Sequence, residues 1–154
     1  MAAKFRDSGP RGAGGNFRRV LVGFDGSAEA QHALRVGVAL AASLEGEAHV
    51  LLVVRPAAHT ETPEELDRAA KAERENLSRG LLSEFQLETP PFPDISTEVV
   101  YADDPGKAIA DFAEEHGFDL VVVGGHGREQ MTHRGIGQSV ESLLRVHPCP
   151  VVVV

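Results

Sequence analysis

The residues best suited to chemistry lie in one glycine-rich segment, Gly124 to Ser139, which follows an apolar run and precedes a helical pattern. Glycine lets backbone N–H groups converge without a Cβ in the way. A following helix adds N–H groups without intrahelical partners and the positive end of its dipole. The segment therefore predicts a cradle for phosphate, to which Arg128 and Arg134 could add charge-assisted bonds from a more solvent-facing position.

Two common nucleotide motifs are missing from the chain. Neither G-x-G-x-x-G nor G-x-x-x-x-G-K-[ST] occurs, and no lysine follows the glycines, which disfavours a standard NTPase. Ser139 has no G-x-S-x-G context and no evident base beside it. We therefore expect no dedicated catalytic residues. A loop that uses glycine only for its turns is the alternative at this point.

Metal binding is not expected. The seven histidines show no zinc-like spacing, and Cys149 is far from them in sequence and is expected to pack as a small residue. His126 and His133 fall in the glycine-rich segment. His133 fits a solvated loop residue, whereas phosphate contact and solvation are both open for His126.

Apolar runs alternate with helical patterns along the rest of the chain. This order predicts an α/β fold with a doubly wound, five-stranded, mainly parallel sheet and helices on both faces, as in Rossmann-like proteins. Ligands in such sheets bind at the carboxyl ends of strands where the strand order reverses, here after strands one and four. The expected strands are 18–24, 49–54, 95–102, 120–123 and 150–154, and the expected helices are 27–44, 62–85, 105–115 and 137–146. Thr62 with Glu65, and Asp104 before Pro105, are expected to cap the second and third helices, and helical spacing places Ala42 and Phe112 on inward faces.

Composition narrows the partners. The formal net charge of −8 repels nucleic acid and anionic membranes at long range. Residues 1–17 are rich in glycine and charge and lack an apolar run, so they predict a disordered tail before a single domain at 18–154. No run reaches the roughly 20 apolar residues of a membrane helix. A cytoplasmic location is the simplest expectation.

The glycine spacing then becomes specific. Gly124, Gly127 and Gly137 fit the pattern G-x2-G-x9-G, and the chain ends in a proline-flanked turn and an apolar strand, 147–154. From residue 18 onward the chain resembles ATP-binding universal stress proteins. This resemblance implies an adenine nucleotide alpha hydrolase-like fold, a stress-response role, ATP or AMP as ligand, and at most weak ATP hydrolysis. Mg²⁺ could accompany ATP, although the sequence shows no dedicated carboxylate pair for it.

The resemblance also implies roles for individual residues. Asp25 corresponds to the aspartate against the adenine and ribose, although it could equally stabilise the turn before the first helix. The backbone of Val53 or Val54 corresponds to the adenine-recognising position. Asp103 is a weaker candidate beside the same cleft. The complete predicted binding set is Asp25, Gly26, Ser27, Val53, Val54, Gly124, His126, Gly127, Arg128, Gly137, Gln138 and Ser139.

One position departs from the family pattern. Gln138 stands where the family has Ser or Thr, and Ser139 follows about 100° further around the helix. A hydroxyl contact to phosphate therefore does not carry over automatically. The alternative hypothesis is a nucleotide-free dimeric interaction module of the same fold. In either case the resemblance implies a homodimer through the C-terminal strand 150–154, with a further protein partner that the sequence does not identify.

Overall fold

The computed structural model describes residues 17–56, 62–85, 94–126 and 136–154. Within these ranges five strands and four helices alternate, as the sequence predicts. Their bounds are β1 Arg19–Phe24, α1 Ala28–Ser43, β2 Glu47–Val54, α2 Pro63–Phe85, β3 Asp94–Tyr101, α3 Pro105–Glu115, β4 Leu120–Val123, α4 Gln138–Val146 and β5 Val151–Val153.

The strands form one parallel sheet in the order β3-β2-β1-β4-β5. The chain winds outward from β1 to β3 and then crosses back to place β4 on the other side of β1. Strand order thus reverses between β1 and β4, which confirms the doubly wound architecture. Because all strands are parallel, the carboxyl ends of β1, β2 and β4 meet at one edge of the sheet.

Each strand supplies side chains alternately to two apolar layers, because successive residues of a strand point to opposite faces. Val20 and Val22 pack with α1 on one face, whereas Leu21 packs with α3 and α4 on the other. These central side chains are completely buried. The expected helices on both faces of the sheet are therefore present.

Two helix faces differ in detail from the periodicity. In α1, Ala42 is exposed and Gly37 is buried. The helix lies so close to β1 at Gly37 that a Cβ there would collide with Val22 Cγ2. In α3, Ala110 and Ala113 are buried, while Phe112 is only half-buried. Close packing of the helices on the sheet selects small residues at the positions of nearest approach.

Side chains cap three of the four helices. Ser27 Oγ accepts a 3.0 Å bond from Ala30 N–H, and Thr62 and Glu65 form the predicted reciprocal capping box. Asp104 Oδ1 accepts a 3.0 Å bond from Lys107 N–H. The N-cap of α4 is Gly137, which has no capping side chain. The start of α4 therefore differs chemically from the other helix starts.

Across the described ranges, we find no helix with the length and apolar character needed to cross a membrane.

Candidate functional site

A cavity of about 540 Å³ opens at the carboxyl edge of the sheet. It lies where the ends of β1, β2 and β4 meet the start of α4, which is the edge predicted from the reversal of strand order. Its volume falls in the range of about 300–1,000 Å³ that small-molecule sites occupy. The cavity is therefore large enough for an organic ligand of nucleotide size.

Much of the cavity wall is apolar. Phe24 ends β1, Val53 and Val54 end β2, and Val123 ends β4, and all four line the space. Ile109 approaches from α3. An apolar wall of this kind suits a flat, weakly polar ring, while the few polar groups around it fix the orientation of the ligand.

Asp25 performs the turn role that the sequence left open. Its Oδ1 accepts a 2.9 Å bond from Ser27 N–H, and Gly26 between them adopts a φ of +80° that favours glycine. Asp25 also lines the cavity, so its turn role leaves it at the site. Gly26 and Ser27 were predicted as binding residues but do not line the cavity, because they build the turn and cap α1.

Gly124 lines the cavity and holds the end of β4 against α1. A Cβ at this position would lie 2.8 Å from the Glu29 carbonyl carbon and 3.0 Å from Ala30 N. Real Cβ atoms do not approach backbone this closely, so a larger residue would force the strand and helix apart. Gly124 is thus required by packing, whatever the cavity binds.

Gly137 lines the cavity too, but its backbone N–H is already used. It donates a 2.8 Å bond to the carbonyl oxygen of Gly125. The prediction of a cradle of free amides therefore does not hold for the Gly137 N–H. Gly127, Arg128, His133 and Arg134 lie outside the described residues.

The first turn of α4 supplies the polar end of the cavity. Gln138 and Ser139 both line it, although they are separated by about 100° around the helix. The helix start carries no side-chain cap from Gly137, so its first-turn N–H groups depend on other partners. This is the part of the cavity where the helix dipole favours an anion.

His126 stands at the rim. It lines the cavity, and its Nδ1 lies 3.6 Å from Glu29 Oε1, a distance that makes an ion pair only when the imidazole is protonated. Asp103 is exposed and does not line the cavity. Its neighbour Asp104 caps α3, as the sequence predicts. Within the part of the chain that the structure describes, no three histidine, cysteine or acidic residues group as metal ligands.

Three polar residues of the cavity were missed by the sequence analysis: Arg55, Glu73 and Tyr101. Arg55 directly follows β2 and Tyr101 ends β3. Both therefore stand at carboxyl strand ends, a signal that could have identified them. Glu73 comes from the middle of α2, and only the placement of that helix over the cavity brings it there.

The sheet order and the position of the cavity define a doubly wound α/β protein with a ligand cavity at the switch point of its sheet. Residues 16–154 match the universal stress protein family, and the chain belongs to this family. The chain is 28% identical over 147 residues to universal stress protein YxiE of Bacillus subtilis (strain 168), a match that covers 90% of this chain and 99% of that protein.

Solved structures agree with this assignment. Universal stress protein UspA from Lactobacillus plantarum superposes with a TM-score of 0.75 at 26% identity, covering 91% of this chain and 99% of that one. A universal stress protein in complex with cAMP gives 0.64 at 21% identity, covering 91% and 98%. The protein from Archaeoglobus fulgidus in complex with dAMP gives 0.60 at 16% identity, covering 90% and 98%. The last two likenesses establish the fold alone.

Proposed function

We propose that this protein binds an adenine nucleotide, ATP or AMP, in the cavity and acts as a nucleotide-dependent switch in a stress response. The observation that carries the proposal is the arrangement of apolar and polar groups around one cavity. It joins an apolar wall at the ends of β1 and β2 to the polar first turn of α4. A nucleotide has the matching polarity, with a flat base at one end and an anion at the other.

Backbone geometry favours Val53 over Val54 as the adenine-recognising residue. Residues of a parallel strand direct their N–H and C=O groups alternately to the two neighbouring strands. The Glu47 N–H donates to the carbonyl of Arg18, which directly precedes β1, so Glu47 faces the β1 side. The Val54 carbonyl accepts from the N–H of Ala102, which directly follows β3, so Val54 faces the β3 side. Val53 therefore faces the β1 side, beyond the last pair, Phe24 with Leu52, where β1 has ended.

The solved relatives support the ligand class. Two of the family structures that share this fold are complexes with cAMP and with dAMP, which are both adenine nucleotides. Family membership extends over nearly the whole chain. The motif glycines Gly124 and Gly137 both stand at the cavity.

Thermal unfolding in the presence of adenosine, AMP or ATP tests the proposal. A ligand held only by the folded state stabilises it by about 2.7 kcal/mol at a concentration of 100 Kd. Asp25→Asn retains an oxygen for the Ser27 N–H but replaces the other carboxylate oxygen, an acceptor for a donor of the ribose or adenine, by an amide NH₂, so it should weaken the response. Asp103→Asn is the matched control, since Asp103 is exposed outside the cavity. An unchanged melting temperature at millimolar nucleotide would refute nucleotide binding.

We further propose binding without dedicated turnover. The glycine-rich segment lacks the lysine of an NTPase loop. Phosphate release from ATP should therefore stay near the buffer control while the thermal response saturates. Release well above that control, lost in Asp25→Asn, would instead identify an ATPase.

We also propose a two-fold dimer through β5. Among the residues that the structure describes, this strand pairs with β4 alone and forms an edge of the sheet, with Val153 40% exposed. The Val154 N–H donates to the Val123 carbonyl of β4. Because successive residues of a strand face opposite neighbours, Val153 directs its N–H away from β4, toward the outer side of β5. Val153→Pro removes that donor and should give monomers in sedimentation, whereas Val153→Thr retains it. A dimer that persists in Val153→Pro would exclude pairing through this donor.

A further inference from the structure

Arg55 is the one lysine or arginine among the described residues that line the cavity. Asp25 and Glu73 line it as well, so the permanent charges identified there are two negative and one positive. The whole chain carries a formal charge of −8. A phosphate that enters this cavity therefore needs a local positive charge to offset the field around it.

The backbone of Arg55 directly follows a part of the cavity wall that is held by a hydrogen bond. It follows Val54, whose carbonyl accepts a 3.0 Å bond from Ala102 N–H, so the exit of β2 is anchored to the exit of β3. Arg55 lines the cavity together with Pro105, the first residue of α3, which directly follows Asp104. Bonds from the Ser142 hydroxyl and then from Lys107 N–H hold the pKa of Asp104 below its usual value, and the Arg55 charge adds to their effect.

Asp104 connects this position to α4. Its Oδ2 accepts a 2.7 Å bond from Ser142 Oγ, one turn beyond the cavity-lining Gln138 and Ser139. At Gly106 the starts of α3 and α4 pack so closely that a Cβ would collide with the Ser139 carbonyl. Arg55 therefore lines the same cavity as the start of α3 and the first turn of α4.

We propose that Arg55 selects phosphorylated ligands, binding the phosphate of a nucleotide whose base lies against Val53, so that the cavity prefers AMP to adenosine. This inference rests on the proposed adenine-nucleotide site and assigns its phosphate discrimination to one side chain. Arginine suits the task because its planar guanidinium donates paired bonds to phosphate oxygens.

Calorimetric titration with adenosine and AMP tests the assignment in four proteins: wild type, Arg55→Gln, Arg55→Lys and Arg68→Gln. Arg68 is an exposed arginine of α2 outside the cavity. Arg55→Gln should weaken AMP binding about tenfold or more while changing adenosine binding less than about twofold. Arg55→Lys should fall between, and Arg68→Gln should behave as wild type. Added salt should weaken AMP binding in wild type more than in Arg55→Gln.

The outcomes separate this inference from the proposed function. Wild type that prefers AMP, with the preference lost in Arg55→Gln, supports both. If Arg55→Gln retains the preference, or loses adenosine and AMP affinity equally, the role of Arg55 is refuted and nucleotide binding stands. If wild type binds neither ligand, both are refuted. Unfolding without ligand, measured for each variant, verifies that all four proteins are folded.

Discussion

The carbonyl oxygen of Gly125 accepts a 2.8 Å hydrogen bond from the backbone N–H of Gly137. The N–H of the same Gly125 donates to the Val154 carbonyl at 2.9 Å, and Val154 N–H donates to Val123. One residue thus joins the exit of β4, the exit of β5 and the start of α4. These backbone bonds close the base of the glycine-rich segment and hold its first and last motif glycines, Gly124 and Gly137, beside the cavity.

Gly124 and Gly125 should differ strongly in their sensitivity to the same substitution. Gly124→Ala places a Cβ against the backbone of Glu29 and Ala30 and should lower the free energy of unfolding by about 1–3 kcal/mol. Gly125→Ala meets nothing nearer than the Val154 carbonyl oxygen at 3.5 Å, so its effect should stay within about 0.5 kcal/mol. Urea titration measures both. Equal stabilities would show that the contact of β4 with α1 is not tight.

Ser27 should matter for stability and not for ligand affinity. Ser27→Ala removes the N-cap of α1 and should cost about 1 kcal/mol, while the nucleotide affinity should be unchanged because Ser27 does not line the cavity. Ser43→Ala, at the exposed end of the same helix, is the control and should be nearly neutral. A large loss of affinity in Ser27→Ala would return Ser27 to the binding set.

The contact of α3 with α4 predicts a second contrast between glycines. Gly106→Ala drives a Cβ into the Ser139 carbonyl and to 2.9 Å from Leu143 N, so it should destabilise the fold by about 1–3 kcal/mol and weaken ligand binding at α4. Gly80→Ala meets nothing within 4 Å and should stabilise α2 by about 0.5–1 kcal/mol. Chemical unfolding and calorimetry measure the two effects. Unchanged affinity in Gly106→Ala would separate the packing of α3 from the site.

His49 lies near the amino end of β2, at the opposite end of the strands from the cavity, and should make the stability of the protein depend on pH. Its Nδ1 bonds Ser96 Oγ, and its ring meets Phe118 edge-on at 4.9 Å. Burial lowers the pKa of His49, Glu47 opposes this with its charge and its bond to the ring, and the positive charges of Arg19 and His116 add to the lowering.

The sign of the pH effect follows from proton binding. Since the folded-state pKa of His49 lies below the unfolded value of 6.5, the unfolded chain binds more protons between the two. The contribution of neutral His49 to the free energy of unfolding should thus be fully present above pH 6.5. It should decrease as the pH falls toward the folded-state pKa, by at most about 1.4 kcal/mol per pH unit. His49→Gln should lose this dependence of stability on pH, whereas His32→Gln, which replaces an exposed histidine of α1, should retain it. Parallel pH profiles for wild type and His49→Gln would refute the assignment.

Several of the residues predicted from the sequence line the cavity, because the signals that identify them are local. Asp25 and Gly124 follow apolar strands, and a residue at a carboxyl strand end is recognisable from the pattern alone. Gly26 and Ser27 directly follow Asp25 in the predicted binding set. The turn sends those two residues into the cap of α1, away from the cavity.

Periodicity, helix caps and glycine spacing by themselves determined the elements, their alternation and the α/β class, because each depends on residues a few positions apart. Tertiary structure alone decided that Glu73 shares a cavity with Gln138, that Val53 faces the β1 side and that the Gly137 N–H donates to the Gly125 carbonyl. These facts depend on strand register and helix placement. They are set by contacts between segments distant in sequence, which no local pattern encodes.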